Sequence, residues 1–476
     1  MSQYVYSLLT LPHLPTIISE WAGVIPLVCH LASYKHDYEL VGQVSLTKRI
    51  SVGLFPKLGG LHGVVQLLKG GPGFLDAVSC KGRSTSKVWD VQWGSGFPCA
   101  NGAASTMIMQ YSLDNINEQS IEIMPDRLSE AKQPEPPTPS SCNGSKEYEQ
   151  SATGSVVELE VKSSTTRSIP QSPPPSPAST RTQGHRRYQV LHVLQFRQTN
   201  PKRSWVIKID DILTSPMCEG ITFVILIGIT IVLCCLGLYG TAVILACGAL
   251  SHIACQFVMV NRPPGYLDCN EVDKTTFMLN AIHENANVWY LYAGDRGCID
   301  TLLNKTMVFL PPSRRRCLIA YMLKATHGIQ LIAMTFVAGQ KGWDGITLLI
   351  LMLLDSMWRW RYSEGHVVRR WIDREGVDIH SKSYNFTGRT MLIGAIQSYS
   401  GTENTAWMND ILTPHPRREA WLARLRWLKS CKPVEITADN EQGTWSDHDW
   451  KAIRLSSELG FQAAEILRKT FSRQNA

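Results

Sequence analysis

The sequence lacks the cysteine patterns by which metal proteins are recognised. Its 476 residues include 13 Cys, but no two of them have the Cys-x-x-Cys spacing that is typical of structural zinc sites. Many of these residues lie in or beside apolar segments, where Cys behaves as a small hydrophobic side chain. We therefore expect free thiols, with no metal site and no cofactor.

Motifs for phosphate binding and for acid-base catalysis are also missing. Residues 42–102 are rich in Gly, but they lack the closing Lys-Ser/Thr of a phosphate-binding loop. His283, Glu284, Asp295 and Asp300 do not follow a spacing that is known for metal binding or catalysis. The sequence thus predicts no catalytic residues and no enzymatic activity.

The chain carries a modest excess of positive charge, with a formal net charge of +7 and a pI near 8.7. Its Lys and Arg residues cluster beside apolar segments and do not form a stripe on a soluble domain. That distribution is typical of the cytoplasmic flanks of membrane helices. We therefore expect the lipid bilayer as a partner, and no nucleic acid.

The first part of the chain contains little that predicts a packed core. Residues 1–117 form a Gly-rich region of poorly defined structure, in which residues 14–34 are a possible extra membrane span. Residues 118–187 are rich in Pro and Ser, with dense runs at 134–139 and 173–177. A segment with so little apolar surface is predicted to be a disordered linker.

The strongest signal is an apolar run of 40 residues, 221–260, without Asp, Glu, Lys or Arg. As one helix it would be about 60 Å long, which is twice the hydrocarbon thickness of a bilayer. It must therefore fold back, and Gly237 and Gly240 mark the turn because Gly tolerates the required dihedral angles. We predict a hairpin of two spans, Ile221–Leu236 and Thr241–Val260.

A second hairpin is predicted over residues 317–360. Its spans are Cys317–Ala338 and Trp343–Trp360, and Trp at both ends of the latter suits the membrane interface. The connection between them is so short that the two helices should be antiparallel neighbours.

The predicted fold is therefore an all-α integral membrane protein with four spans in two antiparallel hairpins. Residues 188–220 precede the membrane, residues 261–316 form a cytoplasmic loop, and residues 361–476 form a basic, Trp-rich helical tail. The Lys and Arg residues beside the four spans lie on one side, and the two tight turns carry only Lys341, which predicts that both ends of the 200–476 region are cytoplasmic.

Polar residues inside the predicted second hairpin are the first functional candidates, because such residues are costly in a membrane. Lys324, His327 and Gln330 follow one another at helical spacing along the third span, and Asp355 lies in the fourth. His327 and Asp355 are equally far from Lys341 at the turn, so they should lie at the same depth. We predict that Asp355 pairs with Lys324 or His327, either as a structural lock or as an ion relay.

His252 and Gln256 are the polar candidates of the second span. Small residues such as Ala242, Ala246 and Ala249 accompany them, and this combination favours close helix packing with hydrogen bonds between helices. A single His offers too few ligands for a metal ion. Packing is the favoured interpretation.

Two helices are predicted in the tail. Over 416–429, Trp421, Leu425 and Leu428 form one stripe and basic residues surround it, which suits either anionic lipid headgroups or an ordinary domain helix. A final helix should span about 446–471, with Ser446 or Asp447 as its N-cap.

Two features of the chain resemble multi-pass membrane proteins of filamentous fungi that have no assigned role. These features are the stretch Trp289–Asn304 and the paired apolar hairpins, and the resemblance covers about residues 205–380. It implies a membrane protein but no activity.

The sequence leaves two functions open. The first is a non-enzymatic membrane scaffold or interaction protein whose loop, linker and tail bind partners. The alternative is a transporter or channel subunit that uses Lys324, His327 and Asp355 as a polar relay.

Overall fold

The structure is a computed structural model, and it describes residues 15–32, 37–50, 52–55, 58–79, 85–115, 120–123, 188–199, 216–340, 342–359, 363–430 and 446–472. Almost all of the predicted disordered linker, residues 124–187, lies outside these described residues. Three residues of the predicted linker, Ile121–Ile123, form a short strand.

A seven-stranded mixed sheet corrects the prediction of an all-α fold. The strands are β1 (Lys87–Asp90), β2 (Gly96–Pro98), β3 (Ile121–Ile123), β4 (Gln189–Gln198), β5 (Thr275–Ala281), β6 (Val288–Asp295) and β7 (Val377–Phe386). Their order is β2-β1-β5-β6-β4-β7-β3. The pairs β4–β6 and β3–β7 are parallel and the other four are antiparallel.

Helices cover both faces of the sheet. On one face lie α2 (Asp37–Thr47), α4 (Pro72–Ser79), α5 (Gly102–Asp114), α8 (Arg296–Leu303) and α11 (Glu364–Glu375); on the other lie α12 (Arg389–Ser400), α13 (Pro416–Ser430) and α14 (Asp447–Ser472). We call these strands and helices the sheet domain.

Alternate side chains of the central strands enter different cores, as the pleat requires. In β6, Trp289 and Leu291 pack beneath α12–α14, whereas Tyr292 packs beneath α5 and α8. Because both faces are buried, such a strand is apolar almost throughout and lacks the simple alternation of a half-exposed strand. This is why a short run such as β6 carries a weak sequence signal.

Local sequence sets several helix ends in the sheet domain. The Asp295 side chain accepts a hydrogen bond from the Cys298 N–H at 3.0 Å and caps α8. Gly376 ends α11 with a φ of 65°, which Gly adopts without strain. The Ser446 hydroxyl accepts from the Asp449 N–H at 3.2 Å, so the predicted cap of the final helix is confirmed.

The remaining long helices pack with one another in what we call the helix bundle. Its members are α1 (Thr16–Ala32), α6 (Pro216–Cys235), α7 (Tyr239–Gln256), α9 (Arg314–Gly339) and α10 (Trp343–Arg359). A further helix, α3 (Leu58–Gly70), packs on α9 from the side of the sheet domain.

By length and composition, three described helices can cross a membrane, which corrects the prediction of four spans. They are Met217–Cys235, Tyr239–Gln256 and Arg314–Gly339. The predicted fourth span corresponds to α10, which has only 17 residues. The possible extra span at 14–34 corresponds to α1, whose apolar part, Glu20–Leu31, is shorter still.

The turn between α6 and α7 lies where the sequence places it. Gly237 has a φ of 78°, and its N–H bonds to the Cys234 carbonyl at 3.0 Å. The Leu238 N–H bonds to the Leu233 carbonyl at 2.9 Å. This pair of bonds is a Schellman motif, which satisfies the last carbonyls of α6 while the chain reverses.

The second hairpin differs from its prediction because α1 packs against both of its helices. Helices α9 and α10 contact each other only slightly, whereas α1 has extensive contacts with each of them. Gly23 allows this approach, since a Cβ on it would lie 3.0 Å from the Val337 carbonyl oxygen. A Cβ on Gly345 would lie 2.7 Å from the Gly23 nitrogen. The insertion of α1 separates residues that a simple hairpin would place together.

Candidate functional site

Asp355 supports an irregular segment of backbone inside the helix bundle. Its Oδ1 accepts a hydrogen bond from the Leu54 N–H at 3.2 Å, and Asp355 itself is only 4% exposed. Leu54 belongs to the non-helical segment 52–55. The Leu54 carbonyl oxygen lies against Gly248 near the middle of α7. Irregular backbone among apolar helices needs such a partner, because no water is available to satisfy it.

The predicted pair of Asp355 with Lys324 or His327 is therefore wrong for this structure. The partner that the structure describes for the Asp355 carboxylate is the Leu54 N–H. Lys324 is exposed. The His327 ring is tilted against the ring of His30 in α1, with 5.3 Å between centroids. The physical reason is the position of α1, which lies between the helices that were expected to touch.

Polar residues of α9 instead face α7. The Gln330 Nε2 donates to the Ile244 carbonyl at 3.2 Å, and Gln330 is fully buried. One turn away, the hydroxyls of Ser251 and Thr326 lie 3.0 Å apart and are also buried. These contacts join the two helices by hydrogen bonds of the kind that hold membrane helices together.

His252 pairs with a residue that the sequence analysis passed over. Its Nε2 lies 3.3 Å from Oε2 of Glu219, in the first turn of α6. Glu219 is 8% exposed, and it lies just before the uncharged run that defined the first span. His252 thus links α6 to α7 across the hairpin, whereas Gln256 is exposed at the end of α7.

Asp344 is a second buried carboxylate that sequence reasoning missed. It follows the turn after α9, and its two oxygens accept hydrogen bonds from the N–H groups of Gly240 and Thr241 at 3.0 Å and 2.8 Å. The Thr241 hydroxyl donates to the Asp344 carbonyl oxygen at 2.8 Å. A carboxylate at a helix N-terminus satisfies free N–H groups and complements the helix dipole. Its place at a turn, next to the apolar span, is the signal that could have revealed it.

Arg262 joins the helix bundle to the sheet domain. It follows α7, and its guanidinium donates to the carbonyls of Leu46 and Met307, each at 3.0 Å, as well as to that of Ser45. The guanidinium also lies over the Tyr266 ring, 4.1 Å from its centroid. Burial lowers the pKa of Arg262. Arg262, which lies directly after the predicted second span, therefore also caps the C-terminal end of α2.

The apolar stripe of α13 packs into the sheet domain. Trp421 and Leu425 are buried against α12 and α14. The ordinary domain helix is thus the better interpretation of this stripe. Binding of anionic lipid through 416–429 stays a prediction, and it would depend on exposed basic side chains such as Arg426 and Lys429.

The chain was compared with protein-family models, with curated proteins and with solved structures, and nothing matches it in any of the three. Neither fold nor activity can therefore be carried over from a relative. Within the described residues, no cluster of three or more His, Cys, Asp or Glu side chains has the geometry to hold a metal ion.

Proposed function

We propose that this chain is a membrane scaffold: the helix bundle anchors it in a bilayer, and the sheet domain presents surfaces for binding partners. The observation that carries this proposal is the use of the bundle's polar side chains. Asp355, Asp344, Gln330 and the pair of His252 with Glu219 each hold one segment of the bundle to another. Side chains committed in this way serve packing, and a relay would need them along one path.

The orientation of the protein is part of this proposal. Strand β4 precedes α6, strands β5 and β6 lie between α7 and α9, and β7 follows α10, yet all four belong to one sheet. The three helices that can span a membrane, α6, α7 and α9, lead the chain away from the sheet, back to it and away again, and the shorter α10 precedes its return to the sheet at β7. The sheet domain is on the cytoplasmic side, in accord with the exposed Arg314 and Arg315 at the start of α9.

A protease-protection assay on the full chain tests this arrangement. A cleavage site inserted after Val272, which is 98% exposed in the sheet domain, should be cut by protease added to intact microsomes. A second site inserted at 340–342, in the turn between α9 and α10, should be cut only after detergent is added. Protection of the Val272 site, or solubility of the protein in alkaline carbonate, would contradict the proposal.

The alternative of a transporter makes a separate claim. For a scaffold, Asp355→Asn keeps an acceptor for the Leu54 N–H, so it should leave both abundance and cellular function intact. The measurement is rescue of cells that lack the protein, normalised to the amount in the membrane fraction. Normal abundance with lost function would favour a relay.

A further inference from the structure

A cleft lies among the three helices that cover the second face of the sheet. Its volume is about 760 Å³, which is within the range of small-molecule sites. Its walls come from the N-terminus of α12, residues 409–415, the start of α13 and one face of α14. All of these segments belong to the sheet domain, so the cleft is separate from the helix bundle.

Two arginines give the cleft a positive charge that is not balanced by carboxylates. Arg418 is only 8% exposed, and its guanidinium bonds to three neutral oxygens: the Asn409 side chain and the carbonyls of Leu412 and Thr405. Arg389 donates to the Glu284 carbonyl and to the Asn285 side chain. In the described part of the chain neither arginine forms an ion pair with a carboxylate. A buried cation with neutral partners attracts an anion into the space that it borders.

The other charged groups at the cleft are already paired. Arg417 forms an ion pair with Asp449 at 3.0 Å. Asp410, the one carboxylate among the lining residues, lies 2.9 Å from the Lys87 ammonium, which lowers the pKa of that carboxyl. Arg389 and Arg418 therefore give the cleft an excess of positive charge.

The cleft also contains hydrogen-bond donors that are available to a ligand. Helix α12 has 12 residues and no side-chain cap at Gly388, so its first N–H groups are available to an anion. A Cβ on Gly388 would meet no atom within 4 Å, which shows that the space beside this helix end is open. Trp421 lines the cleft and is 2% exposed, and its indole N–H has no partner within the described residues.

Apolar residues also line the cleft, beside polar ones such as Thr413 and Ser456. Met391, Ile411, Ile453 and Leu455 contribute side chains, together with the Trp421 ring. A free inorganic ion would gain nothing from these surfaces. A ligand that carries an apolar group beside its charge would remove these surfaces from water, which favours its binding.

We propose that this cleft binds a small amphiphilic anion, a phosphate monoester with an alkyl or acyl chain. The phosphate accepts hydrogen bonds from Arg389 and from the N-terminus of α12, and Arg418 stabilises its charge from behind. The chain lies along Met391 and Ile453. Phosphate suits the site because planar guanidinium groups and helix N-termini both donate hydrogen bonds well to phosphate oxygens.

Binding of octyl phosphate to the full-length protein tests the proposal. The protein is held in phosphatidylcholine nanodiscs, and empty nanodiscs give the background. We expect saturable binding of octyl phosphate, and binding at least tenfold weaker for inorganic phosphate and for octyl glucoside, which lack the apolar chain and the charge respectively. Absence of saturable binding would overturn the proposal, and so would equal binding of inorganic phosphate.

Two variants separate a specific site from general attraction to a basic protein. Arg389→Gln removes a charged hydrogen-bond donor to the phosphate and should weaken octyl phosphate binding at least tenfold. Thr390→Asp places a negative charge in the first turn of α12, which favours the helix but repels an anion, so binding should be lost while the melting temperature is unchanged or higher. Arg369→Gln is the matched control, because Arg369 lies on α11 at the other face of the sheet with 70% of its side chain exposed. Equal weakening by Arg369→Gln and Arg389→Gln would overturn the proposal.

Discussion

The helix bundle and the sheet domain use buried carboxylates in different ways. In the bundle, Asp344 and Asp355 accept hydrogen bonds from backbone N–H groups at a helix start and in an irregular segment. In the sheet domain, Asp90 and Asp300 lie 3.6 Å and 3.4 Å from the guanidinium of the buried Arg296. Backbone N–H groups are thus described partners of Asp344 and Asp355, whereas Glu219, which is also buried in the bundle, pairs with His252.

Their surfaces differ as well. The outward side of α6 exposes a row of large apolar side chains, of which Val224 and Ile225 are 67% and 55% exposed. In the sheet domain several large aromatic residues lie inside, and Trp89 and Trp289 are fully buried. The proposed placement of the bundle in a bilayer would account for this contrast. The four predictions below test it.

The largest expected effect is in the core of the sheet domain. Trp289→Ala removes a ring that packs 5.8 Å from the Trp89 ring and donates to Gln189 Oε1 at 2.8 Å. It should lower the free energy of unfolding by about 3–5 kcal/mol. Thermal unfolding in nanodiscs, followed by fluorescence, measures the change. Trp21→Ala in α1, where Trp21 is 65% exposed, should change stability by less than about 0.5 kcal/mol; equal losses would remove the contrast.

A charge introduced at an exposed position should be costly in the helix bundle and tolerated in the sheet domain. Ile225→Arg places a cation on the lipid-facing side of α6, and we expect its apparent insertion free energy to rise by about 2.5–3.5 kcal/mol. A glycosylation reporter fused to the α6–α7 segment measures the inserted fraction. The control is Val272→Arg, at a position in the sheet domain that is even more exposed, and it should leave the amount of membrane-bound protein unchanged. Normal insertion of the Ile225 variant would show that this face of α6 is in water.

The contact of Asp355 with Leu54 predicts a smaller loss of stability when Asp355 is replaced. Asp355→Leu leaves the Leu54 N–H without this acceptor and should destabilise the bundle by about 1–3 kcal/mol. Because Lys324 is exposed elsewhere, the effects of Asp355→Leu and Lys324→Leu should add within about 0.5 kcal/mol in a double-mutant cycle on thermal stability. A larger coupling energy would restore the ion pair that the sequence suggested.

The smallest effects compare one hydroxyl pair in each region. Ser251→Ala removes the contact with Thr326 in the bundle and should cost about 0.6 kcal/mol. Ser105→Ala removes a 2.7 Å bond to the Tyr292 hydroxyl in the sheet domain and should cost about 0.5–1.5 kcal/mol, since the Tyr292 hydroxyl remains buried. Melting temperatures of both variants are the measurement. A larger loss for Ser251→Ala would reverse the expected order.

The same contrast explains which parts of the structure the sequence could predict. Apolar length and a Gly pair are local signals, and they placed the turn at Gly237 correctly. The final helices were predicted within one or two residues, because caps and helical stripes are also local. The sheet depends on partners far apart in the chain, such as Val190 with Asn385, and no local pattern records that pairing.

The predicted proximity of His327 and Asp355 was wrong for a related reason. Equal distances from Lys341 place His327 and Asp355 at one depth only if α9 and α10 are direct neighbours. The approach of α1 through Gly23 and Gly345 changes those neighbours, and it comes from a segment about three hundred residues earlier in the sequence. The cleft beside Arg389 and Arg418 is likewise assembled from separate segments.

The interleaving of strands and hairpins also sets an order of events during synthesis. Strand β4 is synthesised before the four later helices of the bundle, but its neighbours β6 and β7 follow the first hairpin and the second hairpin respectively. The sheet can therefore close only after both hairpins have been synthesised, and such long-range pairing is intrinsically slow. Any nascent chain that stops before residue 377 exposes the unpaired edge of β4, which is a template for aggregation. Under the membrane placement that we propose, closure of the sheet waits for the second hairpin, and the edge of β4 is the strand edge that stays open until then.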